Sequence, residues 1–370
     1  VAVELMRGAS RTLVFACASP LLVALAGCGS RSALDTGAGE AARVTGALPD
    51  AAVLGSDAGA DATSCAADPL LCTPHVVLFG GFDIEHNTYL DDTWEWDGTA
   101  WTQQNVRGPS ARAGHAMATL SGKVVLFGGG MTSALPASTM IEGGTLHDTW
   151  EWDGVTWTER ASAQFPAERS GHAMATLDGK IVMFGGGVVG QAMSPPETWV
   201  WDGNTWTVAS TTGPSARMGH TMTTVGDRVV LFGGTDEAGG ALFDVWTWGG
   251  TAWTSVNTYG ANGETPAARY GHAAAALGGE LWVYGGYGHD WLDDLWSWDF
   301  NLWTEIPTEP DTPSARYTAS MATLGESAVL FGGEVFPNTL DGSAYRWDGK
   351  SWSRQEGGPP PRAESAMATQ

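Results

Sequence analysis

Basic residues are scarce in this chain. Its 370 residues hold 18 Lys and Arg against 41 Asp and Glu, a formal net charge of -23. That balance excludes the basic footprint of a nucleic-acid binder and implies an acidic surface that repels other anions. Cysteine is also sparse: there are four, and none lies beyond Cys72. Everything after that residue must therefore fold without disulfides or thiolate metal sites. The apolar stretch from Thr12 to Ala26 is too short to span a bilayer comfortably. The sequence also lacks a phosphate loop, a Cys/His cluster with metal-ligand spacing and a convincing nucleophile–base pair. It offers no catalytic residue, no metal ligand set and no cofactor.

The N-terminal part reads as addressing and spacing sequence. Arg7 and Arg11 precede the apolar stretch, which ends in Leu25-Ala26-Gly27-Cys28. This order resembles a bacterial lipobox, which implies a signal peptide over 1–27 and lipidation of Cys28. An ordinary secretory signal is the competing reading. By that resemblance the protein is expected at the outer membrane or cell surface of a bacterium, touching the membrane only through its lipid anchor. Residues 28–74 are rich in Ala, Gly and Asp without sustained periodicity, as a flexible tether would be. Cys65 and Cys72 stand at its end, as a disulfide in an exported protein or as free thiols.

What the chain does contain is a repeat. One unit reads Pro-Ser-Ala-Arg-Ala-Gly-His-Ala-Met-Ala-Thr-Leu from Pro109, then Lys-Val-Val-Leu-Phe-Gly-Gly, a variable span, and Asp-Thr-Trp-Glu-Trp-Asp-Gly-Val-Thr-Trp. Its arginine recurs at Arg112, Arg169, Arg217, Arg269, Arg316 and Arg362, spaced 57, 48, 52, 47 and 46 apart. Seventeen of the 19 tryptophans fall in register, so the repeat is not a chance match. Each unit predicts four short strands. Strand A is the His-Ala-Met-Ala-Thr-Leu segment, and strand B is the wholly apolar run before the glycine pair. Strand C carries aromatics at i and i+2, and strand D starts at the third Trp. The Asp-Gly pairs mark the C–D hairpins.

Four strands at a period near 50 resemble the kelch repeat of β-propellers. The resemblance covers 75–370 and implies an all-β fold: a six-bladed kelch-type β-propeller with four antiparallel strands per blade. The first copy has no strand A, and the last segment, Pro361 to Thr369, is a strand A without a strand B. The two are expected to complete one blade, closing the ring by pairing the C-terminal strand into the N-terminal blade.

In such a meander the D–A and B–C connections share one end. The B–C span varies from 19 positions (Gly129 to Asp148) to 8 (Gly286 to Asp294). Variable loops on a rigid scaffold are where binding usually resides. Two readings of the six arginines compete: a belt of forks for an anion, or ion pairs with the acids that open strand C, namely Asp92, Asp148, Glu197, Asp244 and Asp294, with Asp341 near the sixth. His115, His172, His220 and His272 follow the arginines by three residues and read as packed rather than metal-bound. Tyr287, His289 and Trp291 fall in the loop before strand C of the fifth blade, and His86 and Tyr89 in that of the first. These can stack on a sugar or anchor a peptide.

The expectation is a monomeric cell-surface lipoprotein, a binding or scaffold module that holds a protein or glycan at its long-loop face. A carbohydrate-active enzyme of epimerase or lyase type, using His and Arg on that face, is the alternative. Fold resemblance by itself does not decide between them.

Overall fold

In the computed structural model, described over residues 73–130, 144–188, 193–260, 263–307, 309–337 and 339–370, the repeated segments pair as antiparallel strands. The expected lipidation site Cys28, the 1–27 signal peptide, the tether up to residue 72 and the Cys65/Cys72 pair all lie outside the described residues. The fold is an all-β, multi-bladed propeller. In one sheet Ala116–Leu120, Lys123–Phe127, Thr149–Trp152 and Trp157–Arg160 pair in that order. The same order recurs for Ser170–Leu177 through Trp206–Ser210, Thr221–Val225 through Trp253–Val256, Ala273–Leu277 through Leu302–Ile306, and Ser320–Leu324 through Trp352–Gln355. In a further sheet the C-terminal strand Ala366–Thr369 lies beside Val76–Asp83, with Val76 opposite Thr369 and Phe79 opposite Ala366.

Strand B sits between two neighbours and has apolar layers on both faces, which is why it is apolar throughout. Val124, Val125, Leu126 and Phe127 are all fully buried. Its side chains alternate between two inter-sheet cores. Val125 and Phe127 pack with Met174, Ile181, Trp201 and Trp206 of the following sheet, while Val124 and Leu126 pack with Val77 and Phe79 of the preceding one. At roughly 25 cal/mol per Å² of apolar surface, such layers dominate the stability of the fold.

The three tryptophans of each repeat do different work. The second is core, as in Trp96, Trp152, Trp201 and Trp248. The third reaches the preceding sheet, where its indole N–H donates to a threonine hydroxyl: Trp157 to Thr93 at 2.9 Å, Trp206 to Thr149 at 3.0 Å and Trp253 to Thr198 at 2.7 Å. The first lies at the rim and donates to the acid two residues before it, as Trp150 does to Asp148 at 2.7 Å.

The glycine pair is required by a close approach. Gly80 has φ +57°, and a Cβ there would lie 2.7 Å from the carbonyl oxygen of Arg112 in the next sheet. Gly81 N–H donates to that carbonyl at 2.9 Å, and the bond recurs from Gly129 to Arg169, Gly186 to Arg217 and Gly234 to Arg269. Only glycine permits this contact in this backbone conformation.

Two elements differ from the sequence-based expectation. The B–C connections of the first and fifth repeats are strand extensions rather than loops: Val76–Asp83 pairs with Thr88–Trp96, and Glu280–Tyr287 with Trp291–Trp298, across register shifts at the glycines. Tyr89, Tyr287 and Trp291 therefore sit on strands, because short connections let the ladder resume beyond the glycine pair. A small added sheet also forms from Arg316–Tyr317, Glu334–Val335 and Thr339–Leu340.

Candidate functional site

The end of the molecule that carries the D–A and B–C connections holds every predicted ligand-binding residue. The arginines are buried there: Arg112, Arg269 and Arg362 are 0% exposed, and the other three 1%. Arg112 uses all five of its N–H donors. Nε donates to the Ser110 carbonyl at 2.9 Å and Nη1 to the Gly128 carbonyl at 3.0 Å. Nη2 donates to Ser110 Oγ at 3.0 Å, while Nη1 and Nη2 hold Asp148 Oδ1 and Oδ2 at 2.6 and 2.8 Å. Arg217 repeats the set with Ser215, Gly233 and Asp244. Arg269 pairs with Asp294, Arg316 with Asp341 and Arg362 with Asp92. All but Arg316, which reaches Asp341 through Nη2 alone, are bidentate, a geometry that makes strong contacts.

The third repeat departs from this pattern. Arg169 donates to the carbonyls of Ala167 at 3.0 Å and Gly185 at 2.9 Å. Ala167 supplies no hydroxyl where Ser110 does, and Glu197 stands in the place of Asp. Glu197 instead accepts from the Trp199 indole at 3.2 Å. Burial pushes the Arg169 guanidinium down to about 10, opposed by the charge of Glu197. At Asp148 and Asp244 burial works to raise the carboxyl pKa, but the hydrogen bonds and charge of the paired arginine hold it below the ordinary range.

The four repeated histidines are buried, each edge-on to the phenylalanine of the preceding sheet: Phe79 to His115, Phe127 to His172, Phe184 to His220 and Phe232 to His272. Burial, with the adjacent arginine charge, pushes His115 and His220 down to about 3, so both are neutral at pH 7.

This end also carries a cluster of four half-buried rings and one exposed ring. Tyr287 and Trp291 meet at 6.0 Å between ring centroids, and both meet Tyr317, at 6.2 and 5.0 Å. Tyr270 joins at 5.7 Å from Tyr287, and Phe336, 72% exposed, at 6.4 Å from Trp291. The added sheet brings Tyr317 and Phe336 here: Tyr317 pairs with Glu334, two residues before Phe336. The Tyr317 hydroxyl donates to Glu334 Oε2 at 2.8 Å. Of the predicted ligand residues, the structure thus unites Tyr287 and Trp291. His289 is exposed at the tip of their hairpin. His86 is exposed on the separate hairpin of the first repeat, where it pairs with Asp83 at 2.7 Å, and Tyr89 packs on Phe82 at 4.8 Å. Tyr270, Tyr317, Phe336 and Glu334 were not singled out from the sequence. The signal was available in part: Tyr270 and Tyr317 each directly follow a repeat arginine, where the other copies have Ala, Ser or Met.

Three overlapping matches to the KLHDC2/KLHL20/DRC7 Kelch-repeats domain family cover residues 61–234, 157–333 and 219–370. The chain is 31% identical over 120 residues to a Rab9 effector protein with kelch motifs from Bos taurus, covering 31% of each protein. It is 28% identical over 129 residues to an F-box/kelch-repeat protein of Arabidopsis thaliana, covering 30% of this chain and 25% of the relative. Tip elongation aberrant protein 1 of Schizosaccharomyces pombe matches at 32% over 104 residues, 23% of this chain and 9% of the relative. The chain therefore spans about a third or less of the length of these curated relatives.

These findings correct several expectations. The relatives come from cattle, mouse, rat, Arabidopsis, rice and fission yeast, which overturns the reading of a bacterial lipoprotein at an outer membrane or cell surface, with its signal peptide, its lipid anchor at Cys28 and membrane attachment through that anchor. The lipobox resemblance rested on four residues and their flanks, whereas the family match extends over several copies of a patterned repeat. The alternative of a carbohydrate-active enzyme is overturned with it. That reading needed His and Arg accessible on the loop face, but the repeated histidines and arginines are buried. Among the described residues, no group of three or more His, Cys, Asp or Glu is placed to hold a metal ion. The chain belongs to the KLHDC2/KLHL20/DRC7 Kelch-repeats domain family.

Proposed function

We propose that the chain is a protein-binding scaffold module: a six-bladed propeller over residues 75–370 that docks a partner protein at its loop end, through a patch centred on Tyr287, Trp291, Tyr317 and Phe336. The observation that carries this reading is the aromatic patch. Large rings at the centre of an exposed surface are the usual anchors of protein interfaces, because each removes much apolar area from water at little entropic cost. His289 borders the patch, and His86 and Tyr89 form a secondary contact. The six arginines serve as clamps that hold the loop end rigid, with no ligand fork among them. The name of the bovine relative, an effector of Rab9, is in keeping with a binding role.

Three observations support a closed ring of six blades. The C-terminal strand pairs with the first, from Val76↔Thr369 to Phe79↔Ala366. Apolar clusters join successive sheets, including Val76, Leu78 and Met367 with Ala322, Val329 and Phe331. Backbone hydrogen bonds also run head to tail around the axis: Gly171 N–H to Gly114, Gly219 to Gly171, Gly271 to Gly219, Thr318 to Gly271, Glu364 to Thr318 and Gly114 to Glu364, at 2.6 to 3.1 Å.

A photo-crosslinking amino acid placed at Phe336 in the full chain tests the docking face in cells. The control position is Val155, 63% exposed in a C–D turn at the other end. The expected result is a protein adduct from position 336 that Trp291→Ala abolishes and position 155 does not give. Equal labelling from both positions, or none from 336, would sink the proposal.

A further inference from the structure

Resting on the reading of this patch as the docking site, we infer that it selects a cationic side chain, a lysine or arginine of the partner segment, seated on the faces of Tyr287, Trp291 and Tyr317 beside the Glu334 carboxylate. The three rings are steeply inclined to one another, at 90°, 56° and 78°. Inclined rings do not form a flat platform for a planar ligand. They present both faces and edges to a ligand, and the faces, which carry the negative side of the ring quadrupole, attract a compact cation.

Glu334 supplies the second observation. It is 4% exposed, and its carboxylate accepts from the Tyr317 hydroxyl. The half-buried carboxylates Asp92, Asp148, Asp294 and Asp341 at this same end each have a guanidinium partner. Glu334 has no such partner within 4.0 Å among the described residues. A buried carboxylate without a cation bears an uncompensated desolvation cost. Here burial pushes its pKa above the usual range, against the lowering effect of the Tyr317 hydrogen bond. A partner's ammonium or guanidinium group supplies the missing charge.

Two further facts point the same way. Glu364 contributes another negative charge near Tyr317. The chain as a whole carries -23, which draws basic partners in and repels acidic ones. All six repeat arginines are buried, so none of them offers its fork to an acidic partner.

The test is selection from a displayed library of random 12-residue peptides on the full chain. The enriched peptides are expected to share a Lys or Arg at a fixed position. Replacing that residue by Gln in the peptide, or making Glu334→Gln in the protein, should each weaken binding about tenfold. Glu334→Gln keeps the hydrogen-bonding shape, and an unchanged near-ultraviolet circular dichroism spectrum controls for folding. Peptides that need Trp291 but carry no basic residue, or that bind Glu334→Gln equally well, would overturn the inference and leave the docking patch standing. Peptides indifferent to Trp291→Ala, or no enrichment at all, would overturn both.

Discussion

The second and third repeats invite comparison, because they differ by little and behave differently. Arg112 in the second makes five hydrogen bonds and closes on Asp148; Arg169 in the third makes two and closes on no carboxylate within 4.0 Å among the described residues. Two of the side chains that Arg112 contacts are changed around Arg169: Ser110 becomes Ala167, and Asp148 becomes Glu197. The first removes a hydroxyl acceptor. The second adds one methylene, which carries the carboxylate past the fork while leaving its bond to Trp199 intact. A conserved charge sign is thus not enough to keep an ion pair. In a buried site where both backbones are held in place, side-chain length decides whether donor and acceptor meet.

This comparison can be broken or sharpened by graded changes. The largest removes a clamp together with its strand. Deleting residues 359–370 takes away Arg362, which holds Asp92, and the strand that pairs with Val76–Asp83. Most of the cooperative thermal transition should be lost, and a truncated chain that melts like the full one would show that neither is needed. A smaller change removes one fork. Arg217→Ala removes the fork from Asp244, whose side chain is 38% exposed and can meet water, and should cost about 2–3 kcal/mol in denaturant titration. Arg169→Ala should cost distinctly less, having fewer bonds to lose; equal costs would mean that the carboxylate adds nothing to the clamp. The smallest change restores what the third repeat lacks. Glu197→Asp should stabilise by about 1 kcal/mol, read as a rise in Tm, and an unchanged Tm would show that Arg169 loses nothing by its missing carboxylate.

Much of this molecule was legible beforehand because repetition multiplies weak signals. A single Gly-Gly or Trp-x-Trp says little, whereas the same pair in register through successive copies defines strand, turn and blade together. The partners of the arginines were readable for the same reason, since each strand C opens near an acid. The aromatic patch was legible only in half. Tyr287 and Trp291 stood out as aromatics in a variable span, but Tyr270 sits in the D–A connection of the same repeat, Tyr317 in the next repeat, and Phe336 in a segment that matches no repeat position. Nothing local links Tyr317 to Glu334; the short added sheet does, by pairing the strands that carry them antiparallel. The address was misread because a lipobox is a short motif, easily imitated by an apolar run ending near a cysteine.

The sequence by itself determined the all-β repeat, the apolar strand B, the place of the glycine pairs and a mostly core role for the tryptophans. Those depend on periodicity and on local backbone limits, which a chain carries wherever it folds. Only the tertiary structure decided that the arginines are buried, that Glu197 misses Arg169, and that rings from two successive repeats meet beside a carboxylate with no cationic partner. Those depend on distances between segments far apart in the chain, where an error of one methylene separates a contact from a gap.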